Sequence, residues 1–393
     1  MTARSLRGRV AVAGIGQTAF YKHGQSPDAE FKLAARAVLG ACEDAGISPV
    51  DIDGFASFGN DRNDATRMAS ALGVRQLRSA TMQWGGGGGG CCAAVANAAA
   101  AIATGLSDCV VVYRALAQGQ FGRFGRSSGV TSMPPDMQYQ MPYGVLAPPQ
   151  KFAMRVMRFM EEHGVKQEAL RAIALAANHH AQANPRAVMR GKPLDAARYD
   201  ASRWIAEPFH LFDCCMENDG AAAIILVPAE RAKELAHKPV YLLGAAGGPG
   251  FRAGATPHNA PDYASAGYRE VAVDLWRMAQ LGPQDVGSVQ SYANFTGGVA
   301  MSLAEHGFFV PAHANEFLTL ENLIAPSGKL PVNTSGGNLA EVYLQGFELI
   351  LEGVRQVRGT STSQSARSDV ALVTGGPMVS PASSLVFGSE AVL

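Results

Sequence analysis

The stretch Leu281–Phe295, LGPQDVGSVQSYANF, mirrors Ala45–Gly59, AGISPVDIDGFASFG, and this echo decides the fold class. Each copy reads as a short link followed by a strand. Upstream of the first copy, Arg9–Gly16 (RVAVAGIG) reads as a buried strand ending in a turn, and residues 28–46 carry helical apolar spacing closed by Gly46. Downstream come a glycine run (Gly85–Gly90), an alanine-rich helix over 92–104, and the strand Asp108–Tyr113. The same order surrounds the second copy. Residues 239–246 form a strand and 269–281 a helix, NTSGGNLAEVYLQGFELILEG (333–353) parallels the glycine run plus helix, and SDVALVTGG (368–376) parallels SDCVVVYRA (107–115). The alternation predicts a parallel α/β layout in two copies, residues 1–119 with 205–236 and residues 237–393. Residues 120–204, rich in Gly, Met, Pro and Gln before turning helical, are expected to be an insertion over the surface.

The chain has 393 residues, enough for two or three domains sharing a large core. Charged residues make up 17%, and 33 basic against 33 acidic residues leave no net charge, which argues against nucleic-acid binding and for extensive burial or a subunit interface. No apolar run approaches the roughly 20 residues of a membrane span. The N-terminus lacks the apolar core of a signal peptide, so a cytoplasmic protein is expected. The six cysteines (42, 91, 92, 109, 214, 215) do not follow CxxC spacing and are expected to be reduced and mostly buried.

Three local patterns compete for a functional role. Gly14-Ile-Gly16-Gln-Thr-Ala19 follows a strand as a dinucleotide turn would, but Gly24 and Pro27 interrupt what should be a helix. Asn178-His179-His180 reads as a polar helix face, since neighbouring helical residues point apart and no acidic third metal ligand accompanies them. The stretch MQWGGGGGGCC (82–92) is either a tether, a cradle for an anionic group, or the setting of a catalytic thiol. Apolar elements on both sides disfavour the tether.

Several segments together resemble the thiolase superfamily, in its sterol-carrier-protein-x or lipid-transfer-protein branch. They are VAVAGIGQTAF (10–20), DAGISPVDIDG (44–54), NHHAQANPRA (178–187), DCCMENDGAAAIILV (213–227) and PVNTSGGNLAE (331–341), and they span nearly the whole chain in family order. The resemblance implies a five-layer αβαβα sandwich of two similar halves with an inserted loop domain that helps to hold coenzyme A thioesters. Thiolases place a nucleophilic cysteine at the N-terminus of the first buried helix. Matching CCAAVANAAAAI (91–102) to that helix without a gap puts Gly88 at the nucleophile position and Cys91 and Cys92 about one turn into the helix as packing residues. A slip of three or four residues would restore one of them as nucleophile.

The remaining motifs change as well. The strand-end NEAF or HDCF motif reads Ser291-Tyr-Ala-Asn-Phe295, placing Tyr292 at the functional position. The GHPxG histidine is replaced by Tyr343, and the CxG cysteine falls near Val373. Either tyrosine has a bland reading as core filling. The pattern nevertheless resembles the steroid side-chain-cleaving aldolases, which carry two tyrosines at these motifs. That resemblance implies retro-aldol cleavage of a β-hydroxyacyl-CoA, in particular a 17-hydroxy steroid with a CoA-thioester side chain, to a 17-ketosteroid and propionyl-CoA.

Such chemistry needs a base for the β-hydroxyl, stabilisation of the enolate and an acid for the α-carbon, but no covalent cysteine. Tyr343 is read as the base on the hydroxyl and Tyr292 as the acid or orienter at the enolate, with the reverse open. Gly88 and Gly375 are read as backbone donors to the thioester oxygen, with the missing Gly88 side chain leaving room for a bulky substrate. No cofactor or metal is expected, coenzyme A being part of the substrate. The resemblance also implies a homodimer core and a small OB-fold/zinc-ribbon partner. The other classes carried forward are a thiolase or acyltransferase using Cys92 or Cys91, and a noncatalytic acyl-CoA-binding subunit.

Overall fold

The computed structural model describes residues 5–59, 61–85, 87–121, 137–248, 250 and 262–393. Gly86 of the glycine run and residues 122–136 of the expected insertion lie outside the described residues.

The strands that position the site are β1 (Val10–Gln17), β2 (Gly54–Phe58), β3 (Ser79–Gln83), β4 (Val110–Ala117), β5 (Asn218–Pro228), β6 (Val240–Gly247), β7 (Ser288–Ser291), β8 (Val370–Gly375) and β9 (Ser383–Gly388). They form one sheet in the order β7-β8-β9-β6-β1-β5-β4-β2-β3, joined at its middle by β1 and β6. The two wings repeat each other strand for strand. In the first, β2 pairs parallel with β3 and β4, then β5 and β1 follow antiparallel. In the second, β7 pairs parallel with β8 and, through a Val289–Val332 bridge, with the segment before Asn333; β9 and β6 follow antiparallel. The expected repeat is therefore present, but the expected all-parallel layout is corrected to a mixed sheet. β9 returns from β8 through the short loop 376–382 without a helical crossover, and a direct return forces antiparallel pairing.

Helix α1 (Glu30–Ala45) covers the outer face of the first wing and ends at Gly46, whose φ of 68° supplies the left-handed cap. Helices α2 (Gly90–Ala103) and α7 (Phe347–Arg358) pack against strands of both wings and so form the middle layer; α3 (Pro148–His163) and α4 (Gln167–Ala183) belong to the expected insertion, α5 (Arg269–Ala279) covers the second wing, and α6 (Thr296–Glu305) follows β7. This is the layering of the thiolase fold. The Gly14/Gly16 pair serves that layering: a Cβ at either would collide with the α1 backbone at Ala41 or Ala37, so the two glycines let strand and helix approach closely. Gly244 of β6 repeats the device against Leu275 and Ala279 of α5.

The Asn178-His179-His180 stretch divides between solvent and core. His179 is exposed, but His180 is buried, its Nδ1 3.1 Å from the Asn333 carbonyl and its Nε2 accepting the Ala325 N–H at 3.0 Å. Burial lowers its pKa to about 3, so the ring is neutral and ties α4 to the segment leading towards Tyr343. The polar-face expectation fails for His180 because α4 is covered by the second half. Among the described residues, no helix is long and apolar enough to cross a membrane.

Candidate active site

Tyr292 stands immediately after β7, where its N–H donates to the Thr374 carbonyl at 3.1 Å. Tyr343 stands just ahead of α7, its N–H donating to Asn218 Oδ1 at 2.9 Å. The two phenol oxygens are 2.9 Å apart and the rings meet edge-on at 75°. Both rings are buried, Tyr343 at 9% exposure and Tyr292 at 3%. The chain thus brings together the two residues singled out from separate motifs.

Gly88 lies directly against this pair. A Cβ built there would fall on Cε2, Cζ and Oη of Tyr292, and one built on Gly346 would lie 2.6 Å from Cδ2 of the same ring. The Tyr292 ring abuts both glycines, and it occupies the space that a nucleophilic side chain at position 88 would need. This corrects the expectation that the missing side chain makes room for substrate: the room is taken by the phenol. Gly375, at the end of β8, comes close to Gly88, since a Cβ on it would lie 3.1 Å from the Gly88 carbonyl oxygen. The two glycines read as backbone donors therefore neighbour each other at the start of α2.

Helix α2 begins at Gly90 after a 3-10 turn over Gly87–Gly89, so Cys91 and Cys92 occupy its first turn and not the second. Both are fully buried. Their sulfurs are 3.8 Å from each other, and Cys92 Sγ is 3.7 Å from the Val373 carbonyl, whereas a nucleophilic thiol would be expected to contact an imidazole. Burial pushes the Cys91 thiol well above its ordinary range. Among the described residues neither sulfur contacts an imidazole, so both read as packing groups, which counts against the cysteine-based acyl transfer alternative. Replacing both by alanine should therefore leave C–C cleavage within about twofold of wild type while lowering stability by about 1 kcal/mol per thiol. Steady-state turnover with a thermal melt checks both halves, and a loss of turnover in a protein of unchanged stability would contradict it.

Burial also raises the pKa of both tyrosines, strongly for Tyr292. The cation nearest in effect, Arg114, does little to offset this. Its Nη1 is committed to the Phe58 carbonyl (2.8 Å) and to Asp61 (3.0 Å). At neutral pH the pair is two neutral phenols, and one of them must donate to the other.

Sequence reasoning missed the side chains that hold the tyrosines. Asn333 Oδ1 accepts the Ser291 N–H at 2.7 Å, and Asn338 Oδ1 accepts the Ala293 N–H at 2.6 Å. Asn338 Nδ2 donates to Glu348 Oε1, and Glu348 Oε2 accepts the Leu344 N–H at 3.1 Å. Each is buried. The available signal was the acid in Phe347-Glu-Leu-Ile-Leu351, a carboxylate within an apolar run that both sheet wings cover. A cavity of about 460 Å³ lined by Ala245, Gly247, Asp274, Arg277 and Met278 lies beside α5, away from the tyrosines.

Fold and site together define a thiolase-fold protein, and the comparisons with known proteins agree. Residues 253–389 match the family described as Thiolase C-terminal domain-like. The chain is 38% identical to the 17-hydroxy-3-oxo-4-pregnene-20-carboxyl-CoA lyase of Mycobacterium tuberculosis, over 98% of this chain and 100% of that protein. It is 37% identical to the steroid side-chain-cleaving aldolase of Thermomonospora curvata, over 98% and 99%. The solved structure named Ltp2-ChsH2(DUF35) aldolase superposes with a TM-score of 0.90 at 37% identity, covering 98% of this chain and 99% of that one. The chain belongs to the thiolase superfamily, among the steroid side-chain-cleaving aldolases.

Proposed function

We propose that the chain catalyses retro-aldol cleavage of a 17-hydroxy steroid bearing a CoA-thioester side chain, releasing a 17-ketosteroid and propionyl-CoA. The observation that carries this reading is the 2.9 Å contact between the Tyr292 and Tyr343 phenols, seated over Gly88 where an acylating thiolase would hold its nucleophile. The names of the full-length relatives supply the substrate class.

Two neutral phenols in contact can serve both ends of the reaction without a charged base. Tyr343 takes the proton of the β-hydroxyl as its own proton passes to Tyr292, and Tyr292 delivers a proton to the α-carbon. The hydroxyl oxygen becomes the ketone as the C–C bond breaks, and the bonding pair enters the thioester as an enolate. Backbone N–H groups at Gly88 and Gly375, beside the N-terminus of α2, hold the enolate oxygen. The enolate then collapses onto the α-carbon as the proton arrives. One proton leaves the hydroxyl, one reaches the carbon, and each tyrosine ends as a phenol. No electrons leave the substrate, so the balance calls for no redox cofactor; the thioester bond is not broken, and coenzyme A enters and leaves as part of the acyl-CoA.

Incubating the holo-complex with the 17-hydroxy steroid thioester in deuterated water should give ketone and propionyl-CoA in equal amounts, with one deuterium at the α-carbon. An acyl group retained on a cysteine, or no ketone formed, would reject the reaction. The neutral pair also sets a pH dependence. Since burial holds both phenols above their ordinary pKa, turnover should stay flat between about pH 7 and 9, whereas a free phenolate base would raise it roughly tenfold per unit.

The reading includes a small OB-fold/zinc-ribbon partner, supported by the two-component name of the similar solved structure. A homodimer core is supported by β3, which ends the sheet with Trp84 beyond it 81% exposed, an edge open to pairing. The isolated chain should be inactive or poorly soluble and gain turnover on co-expression with such a partner. Full turnover by the purified chain, with no second polypeptide in its mass spectrum, would remove the partner from the reading.

A further inference from the structure

Of the backbone N–H groups that flank or belong to the two tyrosines, four donate to buried side chains. Ser291 donates to Asn333, Tyr343 to Asn218, Ala293 to Asn338 and Leu344 to Glu348. The last two acceptors are bonded to each other, Asn338 Nδ2 to Glu348 Oε1. A continuous path therefore runs from the residue after Tyr292, through two side chains, to the residue after Tyr343. Asn338 is fully buried and Glu348 is 1% exposed, so both lie away from bulk solvent. The Asn338 carbonyl also accepts the Met216 N–H at 3.2 Å, fixing the middle of the path to the strand β5 approach.

We infer that the Asn338–Glu348 pair is a positioning device that sets the distance between the Tyr292 and Tyr343 phenols. The inference rests on the proposed tyrosine relay and names residues that act only through it. Tyr292 and Tyr343 sit on separate loops, and Gln345 and Gly346, two and three residues after Tyr343, adopt φ values of 52° and 87°. A non-glycine residue in that region needs the surroundings to hold it there. Glu348 does so by accepting the Leu344 N–H across the turn, and its charge is further favoured by the backbone N–H groups of Glu348 and Gly346. Burial raises the Glu348 pKa well above the ordinary carboxylic range, and the N–H donors oppose that rise only in part.

The polarity of the path makes it testable by exchange. E348Q places an amide N–H against either the Asn338 amide or the Leu344 N–H, and N338D places two carboxylates face to face. In the double variant N338D/E348Q, every bond can re-form with only the central one reversed: Ala293 N–H to Asp, glutamine amide to Asp, and Leu344 N–H to the glutamine oxygen. The net charge of the pair is also preserved.

Each single variant should lower kcat by about 100-fold, the scale of a displacement of about 1 Å in a reacting group, with KM for the thioester changed by no more than about twofold. The exchange variant should recover kcat to within about tenfold of wild type. E348D, which keeps the charge and withdraws the carboxylate, should show the same split of kcat from KM and is the milder variant should E348Q not fold. A crystal structure of E348D or E348Q should show the phenol oxygens beyond hydrogen-bonding distance. That readout does not depend on turnover. An unchanged phenol separation, or an exchange variant that folds with wild-type stability yet stays as slow as the singles, overturns the positioning role. Wild-type cleavage that survives Tyr343→Phe overturns the relay instead and leaves the separation measurement standing.

Discussion

Tyr343→Phe should lower turnover by about 10²–10⁴-fold while leaving the fold intact, and Tyr292→Phe should do the same. Phenylalanine keeps ring volume and removes only the hydroxyl, so the packing between Gly88 and Gly346 is preserved. What is lost is the 2.9 Å contact between the phenols. In the proposed relay the proton crosses both oxygens, so removing either breaks the whole route, and the double variant should be barely slower than the worse single one. Independent roles would instead multiply the two losses. Stability moves the other way. A buried phenol that forfeits its partner costs free energy, and in each single variant the surviving tyrosine is left with a weakened hydrogen-bond set, so the double variant should melt no lower than the less stable single. Release of CoA product under saturating thioester, with the partner present, gives the rates. Wild-type rates in both single variants would return the tyrosines to the role of core filling.

Much of this arrangement can be read in the chain before any coordinates. The echo of residues 45–59 in 281–295 predicts paired wings, and the wings do share one strand order. Tyr292, Tyr343 and Gly88 are visible because each stands in a recognisable motif position. What escapes is whatever depends on contact across the fold. The Gly88 gap reads as space for substrate because nothing local says that a ring some two hundred residues later fills it. Strand β9 is hidden in PASSLVFG, since a short return strand after a tight loop has no helix to announce it, and with it goes the mixed character of the sheet. Glu348 is lost for a different reason. In Phe347-Glu-Leu-Ile-Leu-Glu352 a helical reading places both acids on a solvent face, but α7 is the middle layer, and buried acids there are structural or functional. Position in the layers, which one helix cannot report about itself, separates the two readings.

Gly88→Cys, which restores the residue type expected of an acylating thiolase, should abolish cleavage as thoroughly as loss of Tyr292, by about 10²–10⁴-fold. The reason is steric. The new Cβ would lie 2.2–2.3 Å from Cε2, Cζ and Oη of Tyr292, and Gly346 already abuts the Cδ2–Cε2 edge of the same ring. Either the phenol swings out and loses Tyr343, or the start of α2 shifts. Overpacking of this kind costs about 1–3 kcal/mol, so the variant should also melt earlier. Adding Tyr292→Ala to Gly88→Cys should relieve the clash, since the ring and the thiol compete for one volume, but the cavity left by the phenol should keep the variant below wild-type stability and cleavage should not return. The thiol in that double variant would sit at a helix N-terminus, where a thiolate is favoured, and should react with iodoacetamide faster than Cys91 or Cys92 does in the wild-type protein. Normal turnover by Gly88→Cys would mean that the Tyr292 phenol is dispensable. A side chain at position 88 and the Tyr292 ring compete for one volume, so on the proposed relay an acylating cysteine there and the relaying tyrosine exclude each other.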